Sequence, residues 1–405
     1  MLERSSKPLI HNSLEIFPAV AVMGARQTGK STLVRAIAQE RGMAYHTLDD
    51  NALLQEAQED PTGFIREIGA EPCVLDEVQR APKLWLALKA EIDRNGTTGR
   101  FLITGSSQAK IEQGVGDALL GRAEFRTLRP LTLGEQSLAA RHGHWSTLFT
   151  TPAARLGVEI EALVAAATPF DWPTVTAAGG MPRAAAQESS ARRKLLNAYV
   201  EAFVRRDVRE VLGVEDVDRF ERFFRILAAN TGRVLDQTAI ARDVVGVSAR
   251  TISRWIEALD RAYMLTRIPA YSMNANSRLI KSPKLFLVDS ALAMAAAQEL
   301  DPSGLHFETM IANDILCWAT AAPYRSVSHW RTSNGQEVDF VLTEEDTSIA
   351  LEIKGTASPS ASDTRHLAAF LEAHPEVQSA FLLSSSPEIK QWKPNVFGVP
   401  WWAAV

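Results

Sequence analysis

Residues Gly24-Ala25-Arg26-Gln27-Thr28-Gly29-Lys30-Ser31 directly follow the apolar run Ala19-Val20-Ala21-Val22-Met23. The octet is a complete G-x-x-x-x-G-K-[ST] loop, and the run before it reads as a buried strand. Its glycines let backbone N–H groups surround phosphates, Lys30 reaches the β- and γ-phosphates, and the Ser31 hydroxyl can ligate Mg²⁺. A helix predicted over 32–39 opens at Thr32, so its positive N-terminal end faces the same anion. The candidate nucleotide-binding stretch is therefore Gly24 to Thr32, and ATP with Mg²⁺ is the expected ligand pair.

Working outward, Cys73-Val74-Leu75-Asp76-Glu77 reads as a Walker B strand. Asp76 would hold the hydrated cation, because a hard ion takes oxygen ligands beside the phosphates. Glu77, one residue on, would orient and deprotonate the attacking water. An ordinary buried strand with a polar exit is the other reading of this segment. A third strand, Arg100-Phe101-Leu102-Ile103-Thr104, ends in Gly105-Ser106-Ser107-Gln108. There Ser106 or its neighbour would sense the γ-phosphate, although Ser and Thr also simply form turns. Gly121-Arg122 precedes Arg126, Arg129 and Pro130. Arg122 is a candidate to reach the γ-phosphate of its own chain or of a neighbouring subunit in a homo-oligomer, or else it closes a helix at the surface.

The frame around these motifs is that of a globular chain: 405 residues, 46% hydrophobic, 22% charged and a net charge of −5. That length predicts two or three domains. The charge argues against a uniformly basic nucleic-acid binder while leaving local basic faces open. No apolar run approaches the ~20 residues needed to cross a bilayer, so no membrane partner is expected. Cys73 and Cys317 are the only cysteines and lack metal-ligand spacing. Both fit a reducing, cytoplasmic setting.

Strand and helix patterns alternate from Phe17 to Glu135, which predicts a parallel sheet covered by helices over residues 1–140. A helical connector is expected over 141–215, with a turn at Gly179-Gly180-Met181-Pro182 and a long amphipathic helix over 191–212. Its Arg192, Arg193, Lys194, Arg205, Arg206 and Arg209, with Arg219, Arg222 and Arg225 beyond, form stripes that serve as solvated faces, domain contacts or nucleic-acid contacts. Residues 216–270 contain a helix-turn-helix-like, winged-helix-like module, with Gly246 in the turn and Ser248 as N-cap. Ile252, Trp255, Ile256 and Leu259 would face the core and leave Arg250, Thr251 and Arg254 outward, suited to DNA or to a protein partner. In 271–405, Glu337-Val338-Asp339 and Glu352-Ile353-Lys354 sit on neighbouring predicted strands, and Glu308 on a helix over 307–316. Carboxylates that hold Mg²⁺ against a phosphodiester and a lysine that activates water would make a second site of Glu308, Asp339, Glu352 and Lys354. An outward salt bridge on an ordinary strand is the alternative.

These segments together resemble a prokaryotic family of AAA-type ATP-binding proteins. Its members pair an N-terminal P-loop domain with a C-terminal restriction-endonuclease-like α/β domain of unknown function. The resemblance rests on the loop, Asp76-Glu77-Val78-Gln79-Arg80-Ala81-Pro82, Phe101-Leu102-Ile103-Thr104-Gly105-Ser106, Gly121-Arg122, Arg206-Asp207-Val208, Asp289-Ser290, Glu337-Val338-Asp339 and Glu352-Ile353-Lys354. It implies ATP binding, hydrolysis, and a winged-helix linker feeding the C-terminal domain. Two positions depart from the family pattern: Ala25 stands where proline is usual, and Thr309 follows Glu308 where asparagine is usual. Three readings of function follow from these features. The first is an Mg²⁺-dependent ATPase driving its C-terminal module, the second a nucleotide-gated DNA-binding or interaction protein without turnover, and the third an ATP-regulated metal-dependent nuclease.

Overall fold

A computed structural model describes residues 2–106, 119–137, 143–151, 155–210, 213–272 and 282–405. Ser107, Gln108, most of 111–120 and the end of the helix read to 212 lie outside the described residues. Five parallel strands, β1 (Ala19–Met23), β2 (Ala44–Thr47), β3 (Cys73–Asp76), β4 (Phe101–Gly105) and β5 (Ala123–Thr127), form a sheet ordered β2-β3-β4-β1-β5. Side chains alternate across it with period two. Ala19, Ala21, Met23, Leu75 and Ile103 pack against Phe64, Trp85 and Leu88 on one face. Val20, Val22, Val74 and Leu102 pack against Ile10, Leu14, Leu33 and Ile37 on the other. Helices cover both faces, as continuous apolar strands require. Because Ala19 and Cys73 both pair with Phe101, the ends of β1, β3 and β4 share one edge of the sheet. That edge is where ligands bind in open parallel sheets.

The middle of the chain has its own core. Met181, Tyr199, Phe203, Phe220, Phe224, Ile252, Trp255, Leu259, Leu285 and Leu292 pack together, and Ala25 of the loop joins them. This core spans the expected boundary at 215/216. The helix Val217–Ala229 is followed by β6 (Arg233–Val234), the helices Gln237–Asp243 and Ala249–Arg261, β7 (Leu265–Ile268) and β8 (Lys284–Leu287). These three strands make an antiparallel sheet ordered β6-β8-β7. Ser248 caps the second of the paired helices by accepting from Thr251 N at 3.1 Å, and Ile252, Trp255, Ile256 and Leu259 are buried as the spacing predicts. The long helix expected over 191–212 is instead Ser189–Ala202, a widened π turn over Phe203–Asp207, and Val208–Glu210. Single π turns inside helices are frequent at functional sites.

The last core belongs to a six-stranded mixed sheet: β9 (Arg325–Arg331), β10 (Glu337–Glu344), β11 (Thr347–Lys354), β12 (Ser379–Ser384), β13 (Lys390–Lys393) and β14 (Val396–Pro400), ordered β13-β14-β12-β11-β10-β9. Helix Gly304–Ala321 supplies Phe307, Ile311 and Trp318 to one face, where Trp145, Leu148 and Ile160 also pack. The first part of the expected connector thus joins this C-terminal core. The alternation read along Glu337 to Leu342 is broken by a bulge between Val338 and Val341, which puts these two on one side and Phe340 on the other. Among the described residues no helix is long and apolar enough to cross a membrane.

Candidate functional site

The strand β1 delivers Gly24 at φ 152°, and a Cβ there would lie 2.3 Å from the Leu128 carbonyl oxygen, so only glycine fits. Gly29 sits at φ 95° and caps the helix Lys30–Arg41. Within the loop, the Thr28 hydroxyl donates to Ala25 O at 3.0 Å, and Arg4 donates from outside to Thr28 O at 2.8 Å. Lys30 is 4% exposed and its Nζ donates to Gly24 O and Ala25 O at 2.9 and 2.7 Å. Burial brings its pKa down to about 8, against the opposing pull of Glu77 and Asp76. The Arg26 side chain leaves the loop to meet Asp207 of the π turn at 2.5 Å, and Tyr199 OH donates to Arg26 O at 3.3 Å. Gln27 holds φ 63°, and the helix expected over 32–39 runs Lys30–Arg41, so Lys30, Ser31 and Thr32 form its first turn.

Asp76 is buried and accepts from three hydroxyls: Ser31 at 3.2 Å, Tyr45 and Thr104. Burial, followed by the bond to Asp76, raises the Tyr45 pKa. Ser31 Oγ and the carboxylate lie close enough to share one cation's coordination sphere, so this donor pair fits Mg²⁺. Glu77 adopts a left-handed φ of 63°, uncommon outside glycine, and its N–H donates to Thr104 Oγ1 at 3.1 Å. Gln79 Nε2 donates to the Glu77 carboxylate and to Ser106 Oγ, the latter at 3.0 Å. One side chain therefore ties the end of β4 to the carboxylate after β3. Gln79 is 6% exposed, and its Oε1 has no hydrogen-bond partner among the described residues.

Lys30, Ser31, Glu77, Gln79 and Ser106 line a cleft of about 800 Å³ together with Arg80, Arg183, Tyr199, Phe203 and Arg206. Such a volume suits a mononucleotide-sized ligand. Arg183 and Arg206 come from the middle of the chain, and the sequence reading did not assign either to this cleft. The own-chain reading of Arg122 requires a correction. The residue precedes β5, whose Ala123 pairs with Ala19, so it stands at the opposite end of the sheet from the loop of its own chain. There its Nε donates to Asp93. Arg126 donates to Ser13 Oγ at 2.8 Å and pairs with Glu124. Arg129 is buried and reaches Asn313 Oδ1 and Thr266 Oγ1, each at 3.1 Å, binding all three cores together.

Two further sets lie away from the cleft. Arg250 and Arg254 are exposed on the helix Ala249–Arg261, as expected, whereas the Thr251 hydroxyl bonds Ser248 Oγ at 3.0 Å. Glu308, Asp339, Glu352 and Lys354 do come together, with Lys354 Nζ 2.6 Å from Glu352 Oε1 and Asp339 Oδ2 accepting from Ile353 N at 2.9 Å. Burial, then the charge of Asp339, pushes Glu308 and Glu352 up to about 8. Lys284, which no motif announced, sits among these carboxylates. Its Nζ meets Glu308 at 2.9 Å, Glu337 at 2.9 Å and Asp339 at 3.1 Å. Among the described residues no group of three His, Cys, Asp or Glu is arranged to hold a metal ion. Burial pulls the Lys284 ammonium down, but Asp339, Glu308 and Glu337 outweigh it and hold its pKa well above the ordinary value. Thr309 bonds Thr231 Oγ1 at 2.9 Å.

Residues 17–137, which hold the loop and the five-stranded parallel sheet, match the family model described as AAA domain. Residues 170–303 and 303–403 match two families described as Domain of unknown function, DUF8612 and DUF4143. An uncharacterized protein of Mycobacterium tuberculosis is 25% identical over 372 residues, covering 89% of this chain and 75% of that protein. An uncharacterized protein of Haemophilus influenzae is 21% identical over 193 residues, 47% of each chain. A Walker-type ATPase of Pyrococcus abyssi overlays 73% of this chain and 96% of its own at 14% identity and a TM-score of 0.45.

Proposed function

We propose that the chain is an Mg²⁺-dependent ATPase whose nucleotide state is passed to its middle and C-terminal modules. The observation that carries this reading is the arrangement at one sheet edge: Lys30 in the loop, Ser31 against Asp76, and Glu77 held by Gln79. Lys30 and the first turn of the helix Lys30–Arg41 bind the β- and γ-phosphates. Ser31 and Asp76 would hold the metal ion, which when bound neutralises charge on the phosphate oxygens. Glu77 takes the proton of the attacking water onto its carboxylate, and Ser106 and Gln79 set its position. Arg183 and Arg206 face the same cleft and complement the phosphate charge. Replacing Lys30 by alanine should abolish ATP binding, and Glu77→Gln should retain binding while turnover stops. Undiminished phosphate release by both purified variants would end this reading.

The coupling route runs through Arg26 and Asp207 into the middle core, and through Arg129 to Thr266 and Asn313. We read the helix pair Gln237–Asp243 and Ala249–Arg261 with its three-stranded sheet as a winged-helix unit that docks DNA. Exposed Arg250 and Arg254, opposite the buried face of their helix, support this. Fluorescence anisotropy of a labelled duplex should show salt-dependent binding that weakens in Arg250→Ala/Arg254→Ala. Equal binding by that variant would remove DNA from the proposal and leave a protein partner.

A further inference from the structure

We propose that the ammonium of Lys284 is the resident cation of the C-terminal carboxylate cluster, so that this module works as a metal-free clamp between β8 and the six-stranded sheet. The restriction-endonuclease-like resemblance implies a divalent ion held by Glu308, Asp339 and Glu352, but the donor set does not fit one. A lysine ammonium carries three N–H donors, and three carboxylates receive them: Glu308 at 2.9 Å, Glu337 at 2.9 Å and Asp339 at 3.1 Å. These are hydrogen-bond distances about a nitrogen, whereas Mg²⁺ demands oxygens at about 2.0–2.1 Å in octahedral order. Lys284 is 1% exposed, so the cation is enclosed.

Two further oxygens are committed, while Glu352 Oε2 is buried without a hydrogen-bond partner among the described residues. The bulge in β10 aims Asp339 so that its Oδ2 takes the Ile353 N–H, and Glu352 Oε1 takes Lys354. Lys284 arrives on β8 from the middle sheet, while its partners sit on the helix Gly304–Ala321 and on β10. Phe286, on the same strand, stacks on Phe340 at 5.5 Å between ring centroids. Charge and packing thus join β8 to the C-terminal core at one place. The module is then something that nucleotide state moves as a unit, with no phosphodiester chemistry of its own. The proposal stands independently of ATP turnover.

The test is a titration of Mn²⁺ into nucleotide-free, full-length protein, following free Mn²⁺ by its electron paramagnetic resonance signal. Wild type and Asp339→Asn should give superimposable binding curves. Neither should cleave plasmid or single-stranded DNA in Mg²⁺ or Mn²⁺ beyond the other. An additional Mn²⁺ equivalent in wild type that Asp339→Asn lacks, or cleavage that this change abolishes, overturns the proposal. Lys284→Met tests the clamp: it should lower the melting temperature by roughly 10 °C or leave the chain unfolded. An unchanged melting temperature would refute the clamp, and the wild-type comparison decides the metal question whether or not that variant folds.

Discussion

Replacing Gln79 by alanine should slow ATP turnover without weakening ATP binding. The side chain makes two bonds from one nitrogen, to the carboxylate of Glu77 and to Ser106 Oγ. Glu77 follows the strand at φ 63°, a conformation its own backbone disfavours, so its side chain depends on that partner for its direction. A hydrogen bond to a charged acceptor contributes about 1.5–3 kcal/mol, and Glu77 is partly exposed, which favours the lower part of that range. If the whole effect falls on the chemical step, kcat drops about ten- to fortyfold. The KM for ATP should stay within about twofold, because Lys30 and the loop backbone make no bond to Gln79. Steady-state phosphate release across ATP concentrations measures both quantities, and a melting curve controls for folding. An unchanged kcat, or a fall in kcat matched by a proportional rise in KM, would refute the assignment of Gln79 as the residue that positions Glu77.

Three other expectations can be checked with the same protein. Lys30 is lowered to about 8, and phosphates favour its charged form, so ATP affinity should hold below that pH and fall as pH rises through it, by at most about tenfold per unit; calorimetric titration at pH 7 and 9.5 measures this, and equal affinities would contradict it. Arg122→Ala should leave the kcat of dilute, monomeric protein within about twofold, since the residue lies at the far end of the sheet; a larger fall would show that it acts in its own cleft. Ile252→Ala removes a fully buried side chain from the middle core and should cost about 2–4 kcal/mol in urea denaturation, with a loss below about 1 kcal/mol counting against that core.

Local pattern carried much of the architecture. Alternation and apolar runs located β1, β3 and β4, and helical spacing with an N-cap located the helix Ala249–Arg261 and its buried face. Both are properties of consecutive residues and survive without tertiary information. The bulge at Asp339 and the π turn at Phe203–Asp207 escaped, because each adds a residue within a regular element and leaves composition unchanged. The connector could not be read as two parts. Its first part is held by Trp318 and Phe340 and its second by Phe220 and Leu292, all distant in sequence.

The same division holds at the cleft. By itself the sequence located the loop, Asp76 and Glu77, since the pattern consists of fixed residue types at fixed short spacings. Only the tertiary structure decided which other side chains share the cleft. Gln79 arrives by a left-handed turn, and Arg183 and Arg206 by the packing of the middle core against Ala25. It also decided that Arg122 lies at the wrong end of the sheet and that a lysine from β8 sits among the carboxylates of the last module. Spacing along the chain specifies what one segment can do; strand register and core packing specify which segments meet, and that depends on contacts between residues far apart in sequence.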